Sequence, residues 1–183
     1  KLNETEVDEE KWPLLAYAEE RFFSALSWRE FFSMDGKRFV MKPEQLHASC
    51  QLKIAEAEER YQYTSLFLQE SHLAAVLEKI NIAKESQAKN ESELCLIEAA
   101  QAKADSNAIL SSLGLHQDNI APFLESKQKA VERVIADNSA EDVFPILGYS
   151  YYQYAKSLKA EDPFTVLAYF EYALEMSDLG MYF

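Results

Sequence analysis

A glutamate and a histidine near the start of a proline-led segment have the spacing of a metal-binding motif. Glu44 and His47 stand three residues apart in "EQLH", so one face of a helix would carry both side chains. Di-iron bundles need two such Glu-x-x-His motifs and further glutamates on facing helices. Cys50 shares the face of His47, but two ligands do not complete a zinc site. We therefore predict no metal ion and no other cofactor.

The chain does not contain the usual sequence motifs of nucleophilic catalysis. The four glycines are Gly36, Gly114, Gly148 and Gly180, and no two of them lie close together. A nucleophile of the G-x-S-x-G type needs glycines on both sides of its serine, and a phosphate-binding loop needs several glycines within a few residues. We therefore predict no catalytic residue within this chain.

Two cysteines and two asparagine triplets are the candidates for covalent modification. Cys50 and Cys95 each lie beside apolar residues on a predicted helix, where cysteine commonly acts as a small hydrophobe. We predict that both thiols are free and buried. Asn3-Glu4-Thr5 and Asn90-Glu91-Ser92 fit the N-glycosylation pattern, which matters only if the chain lies outside the cytoplasm.

Aromatic residues are concentrated near the C-terminus, in the segment "FPILGYSYYQYAKSL" that begins at Phe144. Helical periodicity places five of its residues on one face, which we predict to pack against the last helix: Phe144, Leu147, Tyr151, Tyr154 and Leu158. Tyr149 and Tyr152 lie away from that face and are expected to be more exposed. Tyrosine is a frequent contact residue, because its ring buries area while its hydroxyl stays hydrated. The candidate partner-binding residues are Tyr149, Tyr152, Tyr169 and Tyr172.

Prolines mark the starts of the elements that must position these residues. Pro13, Pro43, Pro122, Pro145 and Pro163 can each occupy the first turn of a helix, where a missing N–H costs nothing. Further helices are predicted from about residue 71 and from a capping pair of Asn90 with Glu93. Asp162 is the expected N-cap of the last helix. Scarce glycine argues against an all-β fold, and "RFVM" at 38–41 is the one short β-like run.

These signals predict an all-α fold of about seven helices in antiparallel hairpins, either a helical bundle or a tetratricopeptide-like array. Residues 1–183 would form a single all-helical domain. Residues 1–42 would be an N-terminal aromatic helix with a linker, and residues 43–183 the helical hairpins. In the fourth helix, Ala100, Ala104 and Ala108 share a face that would let a neighbouring helix approach closely.

The chain is acidic, with a net charge of −13 that is spread along its 183 residues. A phosphate backbone would repel this charge, so we predict no nucleic-acid partner. No apolar run approaches the roughly 18 residues that a membrane-spanning helix needs. The predicted partner is a protein or peptide, without direct membrane insertion by this chain.

The C-terminal third also resembles a known family. "FPILGYSYYQYAKSL", followed by "VLAYFEYALEMSDLGMYF", is similar to the helical region after the catalytic domain of archaeal Lon-like serine proteases, and "EAAQAKADSNAILSSLG" from Glu98 fits the same region. The resemblance covers roughly residues 45–183. It implies a non-catalytic C-terminal domain of an exported or membrane-attached peptidase, whose catalytic domain lies upstream and whose membrane anchor could follow this chain.

Two other functions remain open from the residues alone. A free-standing tetratricopeptide-like adaptor would bind a peptide or protein through the tyrosines. A helical-bundle enzyme or metal carrier would need ligands beyond Glu44 and His47. The location is extracytoplasmic if the resemblance holds and cytoplasmic otherwise.

Overall fold

A computed structural model describes residues 11–31, 41–140, 143–158 and 162–182. Its seven α-helices confirm the predicted all-α fold, and no strand occurs within those ranges. The helices are α1 (Lys11–Phe31), α2 (Pro43–Ser65), α3 (Ala74–Ala88), α4 (Ser92–Ser112), α5 (Ile120–Ala140), α6 (Ile146–Ser157) and α7 (Pro163–Met176). One-turn 3-10 helices occupy Glu70–His72 and Leu179–Met181. Residues 38–40 of the β-like run lie outside the described residues.

The chain divides into two compact units, Lys1–Phe39 and Val40–Phe183. The prediction of a single domain over residues 1–183, with its parts meeting between residues 42 and 43, stays a prediction. In the first unit the structure describes α1, in which the rings of Phe22 and Phe23 meet edge to face at 5.9 Å between centroids. The second unit contains α2 to α7 and all three buried clusters of the described residues.

Helices α4 and α7 are central to the second unit. Helices α2 and α3 pack on α4, α5 and α6 pack on α7, and α4 packs directly on α7. Asp105 of α4 bonds to Tyr172 of α7, while Lys103 pairs with Glu175, so α4 and α7 run antiparallel. Helix α5 packs on α7 and α6 and makes no substantial contact with α4. The predicted hairpin packing of consecutive helices therefore does not extend to α4 and α5.

Small residues on α4 allow its neighbours to approach closely. Ala100 and Ala104 are each 0% exposed, as the sequence predicted. Ala108, the third residue of that face, is only half-buried. The helix thus gives a close-packed contact along its first three turns and a shallower surface near its C-terminal end.

The prediction of two free thiols is wrong, because Cys50 and Cys95 form a disulfide. The bond joins the N-terminal half of α2 to that of α4 across a Cα–Cα distance of 5.8 Å. Both cysteines are 0% exposed, within a cluster that includes Leu46 and Leu96. The apolar surroundings were anticipated, but the pairing depends on how α2 lies beside α4, which neither helix reveals alone.

Helix ends follow the sequence signals in one case and not in another. Asp162 caps α7 as predicted, since its side chain accepts a hydrogen bond of 3.1 Å from the Thr165 N–H. Asn90 does not form the predicted capping pair with Glu93, because it follows the C-terminus of α3 with a φ of 60°. Asparagine tolerates this left-handed conformation better than most residues, so it serves to end α3.

Gly148 lies where α6 comes very close to α7. A Cβ at this position would overlap Ser177 Oγ and lie 2.8 Å from the backbone oxygen of Ala173. Because the Ala173 oxygen belongs to the backbone of α7, it cannot move aside without shifting that helix.

We expect Gly148→Ala to lower the free energy of unfolding by about 2 kcal/mol, as overpacking costs up to about 3 kcal/mol while alanine recovers about 1 kcal/mol of helix propensity. Urea denaturation measures the change. Gly114→Ala is the matched control, because none of the described residues lies within 4 Å of its added Cβ. Equal losses in the two variants would contradict the close contact at Gly148.

Candidate functional site

The structure separates the four candidate tyrosines by burial. Tyr152 is only 6% exposed, so the expectation of an exposed Tyr152 is wrong. Its hydroxyl donates a 2.5 Å hydrogen bond to Glu132 Oε1. Tyr149 is 37% exposed, and its ring lies 5.0 Å from that of Phe144. Burial chiefly, and then the hydrogen bond to Glu132, raise the pKa of Tyr152. Tyr152 therefore belongs to the core between α5, α6 and α7.

Tyr172 is the centre of a polar junction between α3, α4 and α7. Its hydroxyl donates to the Asp105 carboxylate, whose other oxygen lies 2.7 Å from Lys79 Nζ. Lys79 also donates to the Tyr172 hydroxyl at 3.1 Å and lies 5.3 Å from the ring centroid. Burial, followed by the bond to Asp105, raises the pKa of Tyr172 far above its ordinary value. The phenol therefore remains protonated and serves the packing of three helices.

Tyr169 and Tyr172 belong to a cluster of four rings that joins α6 to α7. Tyr169 contacts Tyr154 at 4.5 Å, Tyr172 at 5.7 Å and Tyr151 at 6.0 Å between centroids. Such offset and edge contacts stabilise helix packing beyond the area they bury. Tyr154 is the most exposed of the four, at 49%. Any partner contact by Tyr149, Tyr169 or Tyr172 stays a prediction.

The predicted packing face of α6 packs only in part, since Tyr151 and Leu158 contact the cluster around Tyr152 while its other three residues are exposed. Phe144, Leu147 and Tyr154 are 52%, 39% and 49% exposed. The buried face instead carries Gly148, Tyr152 and Ala155. Two small residues let α6 come close to α7, and the intervening Tyr152 fills the space beside them. The prediction therefore holds for Tyr151 and Leu158 but not for Phe144 and Leu147, which are largely in solvent.

An apolar groove of about 340 Å³ lies between α3, α4 and α7. Its lining comprises His72, Ala75, Val76, Asp105, Ala108, Ile109, Ser112, Phe164, Leu167 and Ala168. Three alanines leave the depression open, and the Phe164 ring beside it is 54% exposed. Sequence reasoning missed this groove. Ala108, on the small-residue face of α4, was its only sequence signal.

The polar side chains of this groove do not form a nucleophile and its base. Ser112 Oγ donates to the Ile109 carbonyl oxygen at 2.6 Å, within its own helix. Both oxygens of Asp105 are engaged by Lys79 and Tyr172. His72 also lines the groove, so a serine, a histidine and an aspartate are all present there. The bonds made by Ser112 and Asp105 nevertheless do not connect them as a catalytic set. The groove is thus equipped to accept apolar side chains.

A second polar cluster joins α2, α4 and the end of α7, with Lys103 of α4 paired to both Glu56 and Glu175. Lys53, which is 4% exposed, lies 2.8 Å from Glu56, 3.5 Å from Glu175 and 3.3 Å from Asp178. Burial alone would lower the pKa of Lys53, but the hydrogen bond to Glu56 and the neighbouring carboxylates raise it. A lysine acting as a base or nucleophile needs the opposite shift. This cluster is therefore a structural junction.

Among the described residues, the fold brings no further metal ligand to the Glu44–His47 motif. His47 Nε2 lies 3.3 Å from the Gln51 amide nitrogen, and Cys50 is committed to its disulfide. Within the described ranges, no three histidine, cysteine or acidic side chains are grouped to hold a metal ion.

Comparisons with known proteins give no match to a family model, a curated protein or a solved structure. Among the helices of the described residues, none combines the length and the apolar character needed to cross a membrane. The geometry of the groove is therefore the main guide to function.

Proposed function

We propose that this chain is a non-catalytic interaction domain that binds a protein segment in the groove between α3, α4 and α7. The observation that carries the proposal is an open apolar depression with the half-exposed ring of Phe164 beside it. Exposed apolar concavities with a few polar groups are favoured binding sites. Aromatic side chains at such places commonly supply much of the binding energy.

The charge of the chain selects among protein partners. A net charge of −13 attracts basic segments and repels acidic ones during encounter. We therefore propose a partner segment with a bulky apolar anchor flanked by lysine or arginine. The anchor would enter the depression over Ala75 and Ala108, while the basic residues stay at the acidic surface.

The resemblance to archaeal Lon-like proteases supplies a context for this proposal. In that context the domain would capture or position protein substrate for a catalytic domain elsewhere in the longer protein. The disulfide supports an exported location, since such bonds persist mainly in oxidising compartments, with intracellular proteins of hyperthermophiles as the exception. A free-standing adaptor would use the same groove, so the binding test does not depend on the parent protein.

We expect a synthetic amphipathic helix of leucine and lysine to bind the chain, and Phe164→Ala to weaken that binding about tenfold, or about 1.4 kcal/mol. Ala75→Trp should weaken it similarly by filling the groove. Fluorescence anisotropy of the labelled peptide measures both changes.

Phe144→Ala is the matched control, because Phe144 is 52% exposed but does not line the groove. A leucine and glutamate peptide with the same apolar face tests the charge preference. Unchanged affinity in both groove variants would contradict the site. Equal affinity for the two peptides would contradict the basic partner.

A further inference from the structure

Asn90 lies at an exposed turn between α3 and α4, with its acceptor triplet intact. Its N–H donates to the Gln87 carbonyl at 3.0 Å, and the Glu91 N–H donates to Ser86 at 2.8 Å. These two bonds end α3 in the paired pattern typical of a left-handed residue after a helix. They engage the backbone only, and the Asn90 carboxamide has no hydrogen-bond partner among the described residues.

The left-handed turn accounts for an asparagine at position 90, but it does not account for the serine at position 92. Ser92 begins α4, and no side-chain hydrogen bond caps that helix. Nothing in the turn therefore requires a hydroxyl at this position. The triplet Asn90-Glu91-Ser92 nevertheless satisfies the acceptor pattern, in which the third residue must be serine or threonine.

The folded surface has room for a sugar at Asn90. A cleft of about 360 Å³ adjoins the turn, lined by Pro43, Glu44, His47, Asn90 and Ser92. Asn90 is itself exposed. A glycan on its amide nitrogen would extend over this cleft and would disturb none of the three buried clusters, because Asn90 belongs to none of them.

The disulfide gives independent evidence that the protein is exported. Cys50 and Cys95 are joined within the same α2–α4 half of the fold that carries Asn90. Structural disulfides are typical of exported proteins, and export exposes the chain to oligosaccharide transfer. From the exposed acceptor, the adjoining cleft and this bond, we propose that Asn90 is a site of N-linked glycosylation.

The chemistry needs a lipid-phosphate-linked oligosaccharide as co-substrate. The Asn90 amide nitrogen forms a bond to the anomeric carbon of the first sugar, while the bond from that carbon to the phosphate oxygen breaks. The lipid phosphate leaves with the electron pair, and the amide loses one proton. Transfer precedes folding, because Ser92 is only 7% exposed once α4 has formed.

The decisive experiment is peptide mapping by mass spectrometry of the full protein isolated from its native cells. We expect the peptide that contains Asn90 to carry a glycan in molecules that also contain the Cys50–Cys95 disulfide. An Asn90 peptide found only unmodified would overturn the proposal. The groove-binding test is separate, so either proposal can fail without the other.

Four forms of the chain, exported from a glycosylating host, test the acceptor itself. Asn90→Gly keeps the left-handed turn and Ser92→Ala keeps the asparagine, and we expect both to lose the glycan at position 90. Wild type and Ser92→Thr should carry it. Asn81, an asparagine of α3 outside any acceptor triplet, should remain unmodified throughout. Modification that persists in Ser92→Ala, or that is absent from wild type, would contradict the assignment.

Discussion

Reduction of the Cys50–Cys95 disulfide is expected to lower the free energy of unfolding by about 4 kcal/mol. The bond spans 45 residues, and closing a loop of that length removes roughly this much conformational freedom from the unfolded chain. Small domains have only about 5–15 kcal/mol of stability in total, so the change is a large fraction of it. Urea denaturation with and without reductant measures the difference.

Thiol counting and a paired variant separate the bond from other effects of reductant. Protein purified without reductant should show no free thiol after denaturation. The double variant Cys50→Ala with Cys95→Ala should be about as unstable as the reduced protein, and reductant should not change it further. Two free thiols in the untreated protein would contradict the disulfide directly. A reductant-insensitive wild type would contradict its contribution to stability.

The helical architecture was predictable because its signals are local. Pro43 and Pro163 begin α2 and α7, and Asp162 caps α7 through a bond only three residues along the chain. Such signals act within one or two turns, so neighbouring residues are sufficient to read them. Asn90 shows the limit of this reasoning. An asparagine between two helices can end the first or begin the second, and here it ends the first.

Packing between helices was less predictable, because both faces of α6 carry aromatic residues. Periodicity identifies a set of residues on one side, but it does not say which side is inside when each side is apolar. Gly148 and Ala155 decide the matter, since the smallest side chains allow the closest approach to α7. The disulfide and the groove escaped prediction for a related reason. Each combines residues from helices far apart in sequence.

The burial of Tyr152 gives a second large expected effect on stability. Tyr152→Ala should lower the free energy of unfolding by about 3–5 kcal/mol, the range for deleting a large buried aromatic side chain. Its ring lies 6.4 Å from that of Phe170, in the cluster that contains Val131 and Ala173. Phe144→Ala should cost under about 1 kcal/mol, because that ring is half-exposed. Paired urea denaturation curves measure both changes.

Tyr152→Phe separates the ring of Tyr152 from its hydroxyl. This variant keeps the packing and loses the polar contacts of the hydroxyl, chiefly the bond to Glu132, so it should cost about 1 kcal/mol. Glu132→Gln should cost no more, since Glu132 is exposed and can be hydrated when the bond weakens. A Phe144→Ala variant as unstable as Tyr152→Ala would place both faces of α6 in the core. A Tyr152→Ala variant as stable as wild type would instead restore the α6 orientation in which Phe144 and Leu147 pack against α7.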